Sequence, residues 1–161
     1  MKQIIFIILI FLTTRVNSQS IIAPPEMDPF EVVLVHRAAK SFIRDSSITI
    51  ILRPNSPLNP LIDGVTFQIS HKLYIIDLNY TLRDKKIRKW TLLHELGHVI
   101  DMSLGYLSQY PPKWKGKKLN PNLPWDIRPW EISADIWAEK MWKALIKSPQ
   151  PYIIFQLSSP N

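Results

Sequence analysis

The sequence predicts an α+β fold: a small mixed sheet packed against three helices in one domain. Two patterns carry this prediction. Runs rich in β-branched and apolar residues cluster at 48–52, 65–69 and 73–78, whereas apolar residues recur at helical spacing before, after and well beyond them. Glycine and proline punctuate the boundaries, as at Asp63-Gly64, Gly105 and Ser148-Pro149.

Residues 1–18 read as a secretory signal peptide. Met1-Lys2 gives a positive start, residues 4–12 form an almost unbroken apolar run, and Thr13, Thr14 and Arg15 close it. The run is short beside the roughly 20 apolar residues of a spanning helix. Cleavage after Ser18 leaves residues 19–161 as the mature chain, the size of a single domain with one core. The first mature helix begins at Asp28-Pro29-Phe30-Glu31, which offers an N-cap, a proline at the first helical position and an early acid. Phe30, Val33, Leu34, Ala38 and Phe42 give it an apolar stripe that covers the sheet, and it stops near Asp45. His36 on this helix has no surrounding partner motif and reads as an ordinary surface histidine.

Residues 48–52 form a buried strand stopped by Arg53-Pro54, and a proline-rich loop runs to Gly64. Residues 65–69 alternate Val, Phe and Ile with Thr and Gln, residues 73–78 are more continuously apolar, and Ser70-His71-Lys72 joins the two as a hairpin. The strand at 73–78 is the one expected at the cleft edge, where an extended substrate can pair with its backbone. A long helix then covers about 81–104 and ends at Gly105; Gly97 inside it signals close packing, because glycine costs about 1 kcal/mol there. Residues 110–129 hold five prolines and four lysines and read as an irregular loop. Helical spacing resumes over 130–147 through Ile132, Ile136, Trp137, Met141, Trp142 and Leu145, and residues 152–155 supply a last strand or a packed tail.

Chemistry concentrates at His94-Glu95-Leu96-Gly97-His98. On a helix, i and i+4 lie one turn apart on one face, so both imidazoles can address one metal ion, and Glu95 beside them can take a proton from an attacking water. The chain has no cysteine, which excludes disulfides and thiolate ligands, so a zinc ion must be held by histidine and carboxylate. Glu131, at the start of the next helix, is the expected third ligand; Asp135 and Asp126 are the alternatives. Asp135 is otherwise placed to orient His94 through its second ring nitrogen. Tyr110 and Arg128 border the loop that enters Glu131 and are the first candidates for stabilising an oxyanion, ahead of Tyr106 and His71.

The chain here resembles the gluzincin peptidases, over roughly residues 73–142. Their two motif histidines and a later glutamate bind zinc, and in the thermolysin-like pattern an aspartate four residues after that glutamate supports the first histidine, as Asp135 follows Glu131. The segment through His98 also looks like the small phage-repressor-cleaving and radiation-response metallopeptidases. Lethal-factor-like peptidases are similar by motif, but their tyrosine seven residues before the ligand glutamate is Pro124 here. The metzincin extension is absent, since Asp101 and Leu104 stand where it needs glycine and histidine. The resemblance implies a minimal zincin-like domain and a secreted zinc endopeptidase: one Zn2+ held by His94, His98 and Glu131, Glu95 as general base, and an extended peptide or protein as substrate.

The composition constrains the alternatives. Without Lys2 and Arg15 the formal charge falls from +7 to +5, and the excess lies mainly at 83–89 and 113–118. The first cluster suits a solvated helix face. The second suits acidic substrate segments or an anionic surface, and neither carries a nucleic-acid-binding motif. A monomer without a membrane span after signal cleavage is expected, in the periplasm or outside the cell. The rival expectations are a catalytically silent, zinc-stabilised binding or effector protein, and a basic surface-binding protein that uses the 113–118 loop.

Overall fold

The computed structural model describes residues 19–80, 83–120 and 122–145, so the signal peptide expected at 1–18 and the strand or tail expected at 152–155 lie outside the described residues. The fold is mixed α+β, as expected, with two sheets and three helices. A four-stranded sheet holds β1 (Ser20–Ile22), β2 (Thr49–Pro54), β3 (Gly64–Ser70) and β4 (Leu73–Leu78) in the order β1-β2-β4-β3. β1 and β4 both run parallel to β2, while β3 returns antiparallel on β4 through the hairpin at His71-Lys72.

This order corrects the expected edge. The 73–78 strand lies inside the sheet, hydrogen-bonded on both sides, and β3 is the outer strand beside the site. The physical reason is visible in the apolar continuity of β4: Tyr74, Ile76, Asp77 and Leu78 are all buried, as suits a central strand. β3 instead alternates. Thr66 faces inward and is buried, whereas Phe67 and Ile69 face outward and are exposed.

Helix α1 (Pro29–Phe42) starts as its sequence requires, with the Asp28 carboxylate accepting from the Phe30 N–H at 3.0 Å. Its buried face differs from the expected stripe: Leu34, Val35, Ala38 and Ala39 are buried, while Phe30 and Val33 are exposed. The face turns because Glu31 is drawn fully inside to meet Arg88 at 3.1 Å, and Asp28 pairs with Lys85 at 2.8 Å. Arg88 also lies 4.4 Å from the centre of the Tyr80 ring. α1 is thereby tied chiefly to the next helix, α2 (Lys85–Ser103).

α2 begins four residues later than expected, where the Asp84 side chain caps Lys86 and Ile87. Gly105, with φ of +73°, turns the chain out of it, as expected. The segment read as an irregular loop is partly ordered into a second, antiparallel sheet of β5 (Leu107–Gln109), β6 (Pro112–Trp114) and β7 (Lys117–Lys118), followed by a 3-10 turn at Trp125–Ile127. These strands are too short to show a period of two, which is why the sequence pattern misses them. Helix α3 (Pro129–Leu145) buries Trp130, Glu131, Ala134, Ala138 and Met141, whereas Ile132 and Ile136, expected inside, are exposed.

The core lies between the four-stranded sheet and the helices. Ile50, Leu52, Tyr74 and Ile76 from the sheet meet Val35, Leu92, Leu93, Leu96, Ile100 and Met141 from the helices, each at most 1% exposed.

Candidate metal centre

Gly97 sets the distance between α2 and α3. A methyl group added there would come within 2.9 Å of the Ala134 backbone and 3.1 Å of Trp137 Cβ, so only glycine permits this approach. Ala134 is the point of contact, and residues on the same face of α3 are carried to the flanks of Gly97. Glu131 lies one turn before Ala134 and faces His94 and His98; Asp135 follows it and reaches His94 from the other side.

The three expected ligands do come together. His94 Nε2 and His98 Nε2 lie 3.2 and 3.3 Å from Glu131 Oε2, and the two imidazoles stand edge to face with their centres 4.9 Å apart. Ligand atoms at tetrahedral corners about 2.1 Å from zinc are about 3.4 Å apart, so this spacing fits one ion. All three are largely buried and form a group that can hold a metal ion. His94 Nδ1 lies 2.8 Å from Asp135 Oδ1, which puts a ring proton on Nδ1 and leaves Nε2 as the nitrogen that faces Glu131. Asp135 stands outside this group, on the other ring nitrogen of His94, and Asp126 sits apart on the exposed 3-10 turn.

His94 and Glu131 form a buried ion pair. Burial opposes the charge on His94, but the hydrogen bond to Glu131 and the nearby Glu95 and Asp135 carboxylates override it and push His94 up to about 9. Burial likewise opposes ionisation of Glu131, yet the two imidazoles hold it down at about 2. A divalent cation can take the place of the proton on His94 Nε2, because it would bind the same nitrogen and carboxylate atoms.

Glu95 projects from the same turn and is 4% exposed. Burial raises its pKa, against the opposing pull of His98, His94 and the Thr66 hydroxyl. Thr66 on β3 lies 2.7 Å from Glu95 Oε2 and 3.0 Å from the Glu95 carbonyl, so the outer strand is fastened directly to the expected base. Gly64 on the same strand leaves room for Glu95, since a methyl there would sit 2.9 Å from Glu95 Cγ. The sequence places Gly64 at a loop end and gives neither residue a part in the site. Their only signal is a Gly and a Thr at alternate positions on one face of a strand, which needs the tertiary partner to acquire meaning.

Glu95, His98 and Glu131 open on a cleft of about 370 Å³. One wall is β3 at Gly64, Val65 and Thr66; the other is built from Met102, Leu107, Leu119, Trp125 and Trp130 and is mainly apolar. Tyr110, 85% exposed, stands on the rim of this cleft. Arg128 does not line it: its Nε donates to the Leu123 carbonyl at 2.9 Å and its guanidinium lies 5.1 Å from the Trp125 ring centre. Tyr106 packs edge-on to Trp114 beneath Lys115, and His71 is exposed in the hairpin turn. Among the described residues, no helix is long and apolar enough to cross a membrane. No family model, no curated protein and no solved structure matches this chain.

Proposed function

We propose that the protein is a secreted, zincin-like metallopeptidase of the gluzincin type. One observation carries the reading: the His94, His98 and Glu131 donor atoms converge at 3.2 and 3.3 Å, and Glu95 lines the same cleft as His98 and Glu131. Two imidazoles and a carboxylate, with no thiolate in the chain, are the donor set that suits a catalytic zinc. The bound ion supplies Lewis acidity, which polarises a carbonyl and acidifies water.

The chain's own residues supply the rest. Asp135 holds the His94 tautomer, so Nε2 keeps its lone pair for the ion. Glu95, raised by burial, is poised to accept a proton from the attacking water and to return it to the departing amine. Thr66 fixes the Glu95 carboxyl against rotation. β3, the outer strand, offers backbone groups to an extended peptide, and the apolar wall of the cleft receives its side chains. Tyr110 on the rim is the candidate oxyanion donor. The apolar run at 4–12 supports export ahead of folding.

Metal analysis of the mature chain, combined with cleavage of a proteome-derived peptide library by wild type and Glu95→Gln, tests this reading. Cleavage by the zinc-loaded wild type and none by the variant is expected. Equal cleavage by both sinks the mechanism. A second reading, a zinc-stabilised binding protein without turnover, draws on the hold of Thr66 on a nearly inaccessible Glu95. Stoichiometric zinc with no cleavage of any library member would favour it.

A further inference from the structure

The outer edge of β3 is partly occupied by the chain itself. β3 has a strand neighbour on one side only, among the described residues, so alternate backbone groups on its other side await a partner. One side chain takes two of them. Gln109, the last residue of β5, accepts from the Gln68 N–H through Oε1 at 2.9 Å and donates from Nε2 to the Thr66 carbonyl at 2.7 Å. A side-chain amide carries the same acceptor and donor as a peptide group. The carbonyl of one residue and the N–H two residues on are the pair that one residue of a parallel added strand uses. Gln109 is thus a substitute for one residue of an added strand, positioned beside the Thr66 that holds Glu95 and within the cleft.

We propose that Gln109 is an internal competitor for the β3 edge, a specificity-determining residue that an extended peptide must displace before it can pair along β3 as far as Gln68. This rests on the reading of the cleft as a peptide-binding site. Displacement exchanges two hydrogen bonds for two. A peptide long enough to reach Gln68 gains almost nothing there, so the protein favours ligands that are short on that side of the metal or that bind through side chains. With the amide removed, the same backbone pairing becomes net favourable, by about tenfold in affinity for two hydrogen bonds.

The test uses the zinc-loaded mature chain and two series of oligoalanine hydroxamates of one to five residues, one grown from the acyl side and one from the nitrogen side. The dissociation constant of each is measured for wild type, Gln109→Ala and Gln109→Leu, together with hydrogen exchange at the Gln68 N–H. Expected in wild type is no further tightening once a series reaches the Thr66–Gln68 segment. In both variants one series should tighten by about tenfold once it reaches the Thr66–Gln68 segment, with renewed protection of the Gln68 N–H on binding. Loosening of the β5–β6 hairpin in a variant would free the edge in the same way and leave this expectation unchanged. The same length dependence in all three proteins overturns the inference while leaving the peptidase reading intact. Failure of every hydroxamate to bind any zinc-loaded protein overturns the peptidase reading and the inference with it.

Discussion

Glu95 is a carboxyl in surroundings that disfavour its charge, which makes its replacement doubly informative. Burial raises its pKa, so in the metal-free protein an ionised Glu95 costs folding free energy as pH rises. Glu95→Gln keeps the shape and a group for Thr66 to meet. The expected outcome is a loss of peptide hydrolysis of about 10² to 10⁴-fold, the usual contribution of a general base, with zinc content unchanged and a melting temperature no lower than wild type at pH 7. Steady-state kinetics, metal analysis and calorimetry check the three parts. Glu131 and Asp135 separate in the same way. Glu131→Ala removes the proposed ligand and leaves His94 and His98 facing an emptied carboxylate position, so zinc should be lost almost completely on dialysis. Asp135→Ala removes only the hold on the His94 Nδ1 proton and should weaken zinc by about 10 to 100-fold. Near-complete zinc loss from Asp135→Ala alone would reverse the assignment of Glu131. At this scale the sequence was a good guide for residues fixed by helical spacing. His94, His98, Glu131 and Asp135 fall where i to i+4 geometry puts them, whereas Thr66 and Gln109 depend on strands far away in the chain.

The α2–α3 crossing is where an element decides the chemistry. Alanine at 97 gains about 1 kcal/mol in helix propensity, but its methyl would meet the Ala134 backbone at 2.9 Å, and backbone has little room to yield. Overpacking of this kind costs about 1–3 kcal/mol, so Gly97→Ala should be net destabilising. It should also weaken zinc, because α3 carries Glu131 away from the histidines as it retreats. Gly105→Ala provides the contrast: its φ of +73° penalises a side chain, but nothing lies within 4 Å of the added methyl. That variant should lose stability in urea titrations while holding zinc as tightly as wild type. Equal zinc affinity in Gly97→Ala and wild type would show that the crossing does not control the site. The close approach was legible in the sequence as an otherwise costly glycine inside a helix. The position of the strands was not. The apolar continuity of 73–78 suits a central strand, but the partners that make it one, β2 on one side and β3 on the other, are set by tertiary pairing and not by the local run. β1, three residues long, and the β5–β6–β7 sheet are held by neighbours rather than by periodicity, so no local pattern announces them.

For the whole molecule, the candidate metal centre joins α2 to α3, and its charge state should be felt in global stability. Chelation of zinc should lower the melting temperature, because an ion bound only by the folded chain stabilises it by mass action. The metal-free protein should then show a pH profile set by the His94–Glu131 pair. His94 is raised from 6.5 to about 9 on folding, so its contribution is complete below pH 6.5 and is lost as pH climbs toward 9. Glu131 is lowered from 4.5 to about 2, so its contribution is complete above pH 4.5 and is lost as pH falls toward 2. The pair therefore stabilises most between pH 4.5 and 6.5. Urea titrations of the chelated protein from pH 3 to 9 should peak inside that window, and Glu131→Gln should flatten the profile on both flanks, since it removes the largest of the interactions that raise His94. A profile of wild type that matches Glu131→Gln across the range would mean that the two side chains do not form an ion pair in the metal-free protein.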